Sequence, residues 1–291
     1  MVGRFVGGQN MMMLLLLIVM TPLSATTAGI LIWVGHRDES LDDGALVRNF
    51  VVAMTVVFAL LWGISRTESV HKRLDPQYRI DTEIEANPVY STAKRLDPDT
   101  AKVLQPFLIG QMSAGVPISQ ALLLARPRLT SAVTERLGFA DHETRIMWGR
   151  LTAESLRELR SANPDWCYAA MAGQLQDPEA LTAAFSADNS ASFQQAVVQV
   201  YEAANKGMAH DPRRVVQHVS FNEAALEFRA IQAEIEQRFD STVATQVAAK
   251  RFPAEPPGST KQLCSARIFQ LEEMLQRPAP MASMLIDSIL R

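Results

Sequence analysis

Cys167 and Cys264 are the two cysteines of this chain of 291 residues, and their thiols could form a covalent bond. They lie in the stretches NPDWCYAAM and QLCSARIF, each on the apolar face of a predicted helix. One interpretation is a pair of buried structural thiols, which suits a reducing compartment. The other is one disulfide between the last helical segment and an earlier one, which requires an oxidising compartment.

The chain has five histidines: His36, His71, His142, His210 and His218. His210 and His218 are eight positions apart, or roughly 80° around a helix, which is too far for one metal ion. His142 is followed by Glu143, but the second histidine that a zinc protease needs is missing. The two cysteines also lack the paired spacing of a zinc site. We therefore predict no metal site and no cofactor.

Carboxylates occur in pairs at Glu154/Glu158 and Glu272/Glu273, among other charges of predicted helix surfaces. A catalytic acid needs burial or a like charge to raise its pKa, so these pairs indicate solvated faces. The sequence also lacks a nucleophile elbow of the Gly-x-Ser-x-Gly type and a phosphate-binding glycine loop. We predict no catalytic residue. The alternative is a membrane-associated hydrolase with a site assembled from scattered Glu, His and Arg side chains.

Two apolar runs, 11–34 and 49–65, indicate where the protein is located in the cell. The first is longer than the roughly 20 residues that cross a bilayer, and the second is at the short end of that range. Trp33 and Trp62 lie near ends of the runs, where indole rings favour the membrane interface. The pattern predicts a transmembrane helical hairpin within residues 1–66, with the lipid bilayer as its partner.

The orientation follows from basic residues beside the runs. Arg4 precedes the first run, and four basic residues follow the second: Arg66, Lys72, Arg73 and Arg79. The positive-inside rule then places both chain ends, and the helical domain, on the cytoplasmic side of a bacterial inner membrane. The first run also has the parts of a signal peptide, with small residues around Ala28. If it is cleaved or does not insert, a single span remains and the domain can face the periplasm.

The rest of the chain predicts an all-α fold. Segment 67–95 is polar, contains two prolines and predicts an extended linker; helices follow over 96–252, then a proline-rich break at 253–259 and C-terminal helices over 260–291. Four Asp-Pro or Asn-Pro pairs predict helix starts: Asp97-Pro98, Asn163-Pro164, Asp177-Pro178 and Asp211-Pro212. Four glycines lie near expected stops: Gly115, Gly138, Gly173 and Gly207.

Two of these helices have a clear apolar stripe at three- and four-residue spacing. One stripe consists of Phe193, Ala196, Val197, Val200, Tyr201 and Ala204. The other consists of Trp148, Leu151, Ser155, Leu156 and Leu159. A long charged helix is predicted from Ser220 to Phe252. The stripes must be covered by other helices, so a multi-helix bundle is expected.

The motifs NPDWCY, LCSARIF and IDSILR together resemble uncharacterised proteobacterial proteins with an N-terminal membrane anchor and a helical domain with two spaced cysteines. The resemblance covers the chain from Asn163 to Arg291 and implies no known activity. The net charge of −3 and the lack of a basic patch argue against nucleic-acid binding. We predict a non-catalytic scaffold or interaction protein at the inner membrane, with a protein partner of unknown identity.

Overall fold

The computed structural model describes residues 75–210, 219–249 and 252–290, and eight further positions: 48, 51, 52, 54–56, 58 and 59. Every regular element in these parts of the chain is α-helical, which confirms the all-α prediction. Within them, no helix has the length and apolar character needed to cross a bilayer. The predicted span 11–34 lies outside the described residues, as do most of 49–65 and both predicted interface anchors, Trp33 and Trp62.

Thirteen helices follow one another from residue 76 to residue 290 of the described parts. They are α1 (Pro76–Ala86), α2 (Pro88–Leu96), α3 (Pro98–Ser113), α4 (Ile118–Leu124), α5 (Arg126–Leu137), α6 (His142–Ala162), α7 (Pro164–Met171), α8 (Pro178–Ala184), α9 (Ala187–His210), α10 (Phe221–Arg238), α11 (Ser241–Ala248), α12 (Thr260–Leu275) and α13 (Ala279–Leu290). The unit from Ile84 to Arg291 is compact and has its own apolar core.

Several helices begin at an Asp or Asn followed by proline. Asp97, Asn163 and Asp177 each accept a hydrogen bond from a backbone N–H of the first turn, at the starts of α3, α7 and α8. The side chain supplies an acceptor that the helix end lacks, and proline at the first helical position loses no hydrogen bond. The fourth predicted start, at Asp211-Pro212, lies outside the described residues.

The extended linker predicted over 67–95 differs from the structure, where α1 and α2 occupy most of this range. The same capping chemistry explains the difference. Asp75 Oδ1 accepts from Gln77 N at 3.0 Å at the start of α1, and Asn87 Oδ1 accepts from Val89 N at 2.9 Å at the start of α2. The prolines that suggested a linker are therefore the first residues of two helices.

The 21-residue helix α6 lies at the centre of the unit and packs against α7, α8, α9, α12 and α13. Both predicted stripes are buried: the α6 stripe faces the core, and the α9 stripe is covered by α2, α5 and α6. The long helix predicted from Ser220 to Phe252 is instead two helices, α10 and α11. Asp240 interrupts it by accepting a hydrogen bond from Val243 N, so a new helix begins there.

Gly207 does not mark a helix end, because α9 continues through it to His210. A Cβ atom at Gly207 would lie 1.9 Å from the carbonyl oxygen of Phe139. The residue is small because the backbone after α5 approaches α9 at this point. By contrast, Gly115 and Gly173 have positive φ values of 88° and 69° just after α3 and α7, as glycines beyond a helix end commonly do.

Candidate functional site

Arg126, the first residue of α5, is a buried cation held by neutral groups. Its Nη1 donates to Asn189 Oδ1 at 2.9 Å, and its Nη2 donates to Ser155 Oγ at 2.5 Å. The guanidinium carbon lies 3.8 Å from the ring centroid of Phe185 and 4.2 Å from that of Phe193. The two rings cover the guanidinium by cation–π contacts, while α6 and α9 supply its hydrogen-bond acceptors.

The charge of Arg126 has no carboxylate at ion-pair distance among the described residues. Burial lowers the pKa of Arg126 to about 9, and the negative charge of Glu158 partly offsets this effect from a distance. Glu158 itself is engaged elsewhere, because its Oε1 accepts a hydrogen bond from Ser186 Oγ at 3.0 Å. The guanidinium is therefore still a cation at neutral pH, and it is incompletely compensated.

A cavity of about 700 Å³ opens beside Arg126, between α5, α6, α8 and the segment after α7. One wall is apolar and includes Leu151, Leu156, Leu159, Leu175 and Leu181. Another carries hydroxyl groups on α5 and α6, from Thr130, Ser131, Thr134, Thr152 and Ser155. The volume lies within the range of small-molecule sites, and the lining combines apolar side chains with many polar groups.

Three other arginines with buried or largely buried side chains have partners that explain their burial. Arg145 donates to the carbonyl oxygens of Leu137 and Gly138, where α5 ends. Arg267 donates to carbonyl oxygens near the ends of α11 and α13. Arg136 forms an ion pair with a carboxylate, that of Asp97. The first two cap helix ends and the third has a counter-charge, whereas Arg126 binds a neutral amide and a neutral hydroxyl.

Cys167 and Cys264 form a disulfide in the structure, and their Cα atoms lie 6.1 Å apart. Both side chains are fully buried, and the bond ties α7 to α12 within the core. Cys167, the residue after Trp166, lies on the face of α7 that packs against α6 and α12. Of the two interpretations of the sequence, this geometry corresponds to the disulfide.

A hydroxyl and an imidazole lie close together at the start of α6. His142 Nδ1 lies 2.9 Å from Ser283 Oγ, a distance that a nucleophile and its general base would also have. Ser283 is completely buried, however, and neither residue lines the cavity beside Arg126. The pair joins α6 to α13. Because the Ser283 hydroxyl is buried, a substrate of a hydrolase would not reach it in this structure.

The paired carboxylates take different positions. Glu154 is exposed, and Glu272 is half-buried, accepting from Arg157 Nη2 at 2.6 Å in an ion pair between α6 and α12. Of the histidines other than His142, His210 ends α9 and the rest lie outside the described residues. In the described ranges, no group of three or more His, Cys, Asp or Glu side chains is placed to hold a metal ion.

The fold and this site define a disulfide-bonded, all-α domain with a cavity beside a buried arginine. Comparisons of the chain with protein-family models, with curated proteins and with solved structures find no match.

Sequence reasoning missed Arg126, although a signal existed. The residue directly follows the apolar stretch ALLLA, and with Arg128 it flanks Pro127. A second signal is Ser155, the only hydroxyl in the apolar stripe of α6. Taken together, a charge at the end of an apolar stretch and a lone hydroxyl on a buried face would have indicated a contact between them.

Proposed function

We propose that the protein is an integral protein of a bacterial inner membrane whose N-terminal apolar runs anchor a non-catalytic helical domain for interaction with another protein. The uncharged runs 11–34 and 49–65 support the anchor. Val51, Val52, Val56 and Phe58 give further support, since they are helical and more than half exposed to solvent. Lipid is the medium in which such side chains are stable.

The domain lies on the periplasmic side in this proposal, and the observation that carries this choice is the Cys167–Cys264 disulfide. Disulfides persist in the periplasm and are rare in the reducing cytoplasm. The basic residues after the second run favour the opposite side, but they exceed those of the loop between the runs by only a few charges. We give the covalent bond more weight, because one such bond requires an oxidising compartment whereas the charge bias is small.

A periplasmic domain and a cytoplasmic N-terminus require an odd number of crossings, so only one of the two runs spans the membrane. In this proposal, a single span replaces the predicted hairpin, which placed both chain ends in the cytoplasm. The other run then lies on one side of the bilayer, with its apolar face on the lipid or on the protein.

Reporter fusions after residue 40 and after residue 291 test this topology. Alkaline phosphatase is active only outside the cytoplasm. Green fluorescent protein does not fluoresce after export through the general pathway, so its fluorescence reports a cytoplasmic fusion point. We expect active phosphatase at the C-terminus. Active phosphatase also at residue 40 assigns the span to 11–34, and fluorescence there assigns it to 49–65. A fluorescent fusion at the C-terminus would refute the periplasmic location.

A binding role is favoured by the chemistry of the described cavity. Its buried charged group is the guanidinium of Arg126, which stays protonated and so binds and orients rather than transferring protons. Large apolar side chains of the domain are also exposed, with 76% of Phe221 and 64% of Leu226 accessible at the start of α10. Such side chains gain free energy when a partner removes their apolar surface from water.

Photo-crosslinking in living cells tests the interaction. A photoreactive amino acid at position 221 or 226 is expected to give one discrete adduct of the full chain. The matched control carries the same amino acid at Glu236, an exposed charged position of the same helix. Equal labelling at all three positions, or none at 221 and 226, would argue against a specific protein partner on this helix.

A further inference from the structure

A ligand can reach the unused hydrogen-bond donors of Arg126 from only a few directions. A guanidinium has five N–H groups, and the hydrogen bonds of Arg126 to Asn189 and Ser155 use two of them. The rings of Phe185 and Phe193 cover it at 3.8 and 4.2 Å, so a further acceptor must approach in the guanidinium plane. This is the approach by which carboxylates and phosphates form bidentate pairs with arginine.

The cavity beside this group is lined along α6 from Trp148 to Leu159, and Ser155, which binds Arg126, lies within this stretch. From Ser155 to Trp148 is seven residues, about 10 Å at the helical rise. One leaflet of a bilayer has about half of the ~30 Å hydrocarbon thickness, so this stretch suits an acyl chain shorter than those that fill a leaflet. The apolar wall of leucines and the aromatic rings of Trp148 and Phe252 suit such a chain.

The electrostatics favour an anionic headgroup over a neutral one. Arg126 is only 7% exposed, and in the described parts of the chain its hydrogen-bond acceptors are a neutral amide and a neutral hydroxyl. An anion in the plane of the guanidinium would complete the partial compensation by Glu158 at a buried side chain, where a charge-assisted hydrogen bond is strong. Glu135 is the one carboxylate of the lining, and it is exposed at the rim.

We propose that this cavity binds a short single-chain amphiphile with an anionic carboxylate or phosphate headgroup, with the headgroup on Arg126 and the chain along α6 towards Trp148. The inference does not depend on which side of the membrane the domain occupies. Carboxylate and phosphate share the chemistry that the guanidinium recognises, and the test below distinguishes the two sources.

Fluorescence of Trp148 provides the readout, because this side chain lines the cavity. The full chain is reconstituted in nanodiscs of phosphatidylcholine and titrated with three probes of equal chain length that carry bromine atoms: a fatty acid, a lysophosphatidic acid and a fatty alcohol. Bromine quenches a nearby indole. Quenching of the other three tryptophans, Trp33, Trp62 and Trp166, is removed by subtracting the signal of the Trp148→Phe variant, which lacks only the cavity signal.

The proposal predicts saturable quenching of Trp148 by at least one anionic probe, and the stronger of the two identifies the headgroup. The uncharged Arg126→Met variant should bind the anionic probe roughly ten- to hundredfold more weakly, the equivalent of one charge-assisted hydrogen bond. Its affinity for the alcohol should not change. The matched control is Arg128→Met, which removes an exposed charge from the same helix without touching the cavity and should bind like the wild type.

Thr152→Phe keeps the guanidinium and narrows the cavity, so it tests the site even if Arg126→Met does not fold. We expect it to weaken binding of all three probes. Affinity for the alcohol equal to that for the stronger anionic probe, an unchanged affinity in both Arg126→Met and Thr152→Phe, or no quenching beyond that of Trp148→Phe would each overturn the proposal.

Discussion

Arg136 Nε donates to Asp97 Oδ2 at 3.0 Å, and this ion pair joins the end of α5 to the start of α3. The same carboxylate caps α3 through Thr100, whose Oγ1 lies 2.7 Å from Oδ2. It also accepts from the hydroxyl of Tyr201 on α9 at 3.2 Å. One side chain thereby connects three helices, α3, α5 and α9.

Acid should weaken this contact in a defined pH range. Burial raises the pKa of Asp97, but the hydrogen bonds from Arg136 and Thr100 outweigh it and lower that pKa below the ordinary 3.8. The native state therefore binds this proton less readily than the unfolded chain. The contribution to stability is complete above the unfolded pKa and is lost as the pH falls through the folded pKa.

Asp97→Asn is expected to lower the free energy of unfolding at neutral pH by about 3 kcal/mol, since it leaves the charge of Arg136 without its partner. Below the folded pKa the difference from the wild type should shrink. Thermal unfolding of the full chain, followed by circular dichroism from pH 7 to pH 3, measures both effects. Asp99→Asn is the control, because its carboxylate is exposed and pairs only with Lys102. An equal response of the two variants would contradict the assignment.

Loss of the disulfide should destabilise the domain strongly. Cys167 and Cys264 are 97 residues apart, and closing a loop of that size stabilises a fold by about 4 to 5 kcal/mol through the lost entropy of the unfolded chain. The double variant Cys167→Ser/Cys264→Ser should show this loss in chemical unfolding. Dithiothreitol should lower the midpoint of the wild type and leave that of the variant unchanged; a wild-type midpoint indifferent to reductant would show that the bond does not form.

Local chemistry explains which parts of the fold could be predicted. The starts of α3, α7 and α8 follow from Asp97, Asn163 and Asp177, because a capping side chain and a proline act within one turn of helix. The same pairs at Asp75-Pro76 and Asn87-Pro88 carried equal information, and the linker prediction for 67–95 failed to use it. The error came from giving the polar composition more weight than the caps.

The candidate site depends on contacts that sequence spacing does not encode. Arg126 meets Ser155 on α6 and Asn189 on α9, which are 29 and 63 residues away. The Phe185 ring that covers it comes from the end of α8. Periodicity gives the buried face of each helix, but not the neighbours of that face. Gly207 illustrates the same limit, since its contact with Phe139 comes from the packing of two helices.

Arg267 should contribute far more to stability than an exposed arginine. It donates to the carbonyl oxygens of Val247 at 3.3 Å and Ile289 at 2.9 Å and to Gln270 Oε1 at 2.6 Å. Burial lowers its pKa to about 10, so it keeps its charge at neutral pH. Arg267→Met leaves these buried oxygens without a donor and should cost about 3 kcal/mol.

Arg157→Met is the comparison, because Arg157 pairs with Glu272 on the surface, where 43% and 38% of the two side chains are exposed. Solvent screens such a pair, so the expected loss is about 0.5 kcal/mol or less. Urea unfolding of both variants measures the difference. Similar losses would mean that the helix ends at Val247 and Ile289 gain nothing from their buried donor.

Two glycine-to-alanine substitutions in helices should have opposite effects. Alanine at Gly207 places its Cβ 1.9 Å from the backbone oxygen of Phe139, which cannot rotate away as a side chain could. The backbones of α9 and of the segment after α5 must then separate, and overpacking of this kind costs about 1 to 3 kcal/mol or more.

Gly110 lies within α3 and has no neighbouring atom within 4 Å of the added Cβ. Gly110→Ala should therefore stabilise the domain by about 0.5 to 1 kcal/mol, because alanine reduces the entropy of the unfolded chain and favours the helix. Thermal unfolding of the two variants beside the wild type gives the sign of each change, and a stabilised Gly207→Ala would show that α9 does not approach Phe139 as closely as the structure has it.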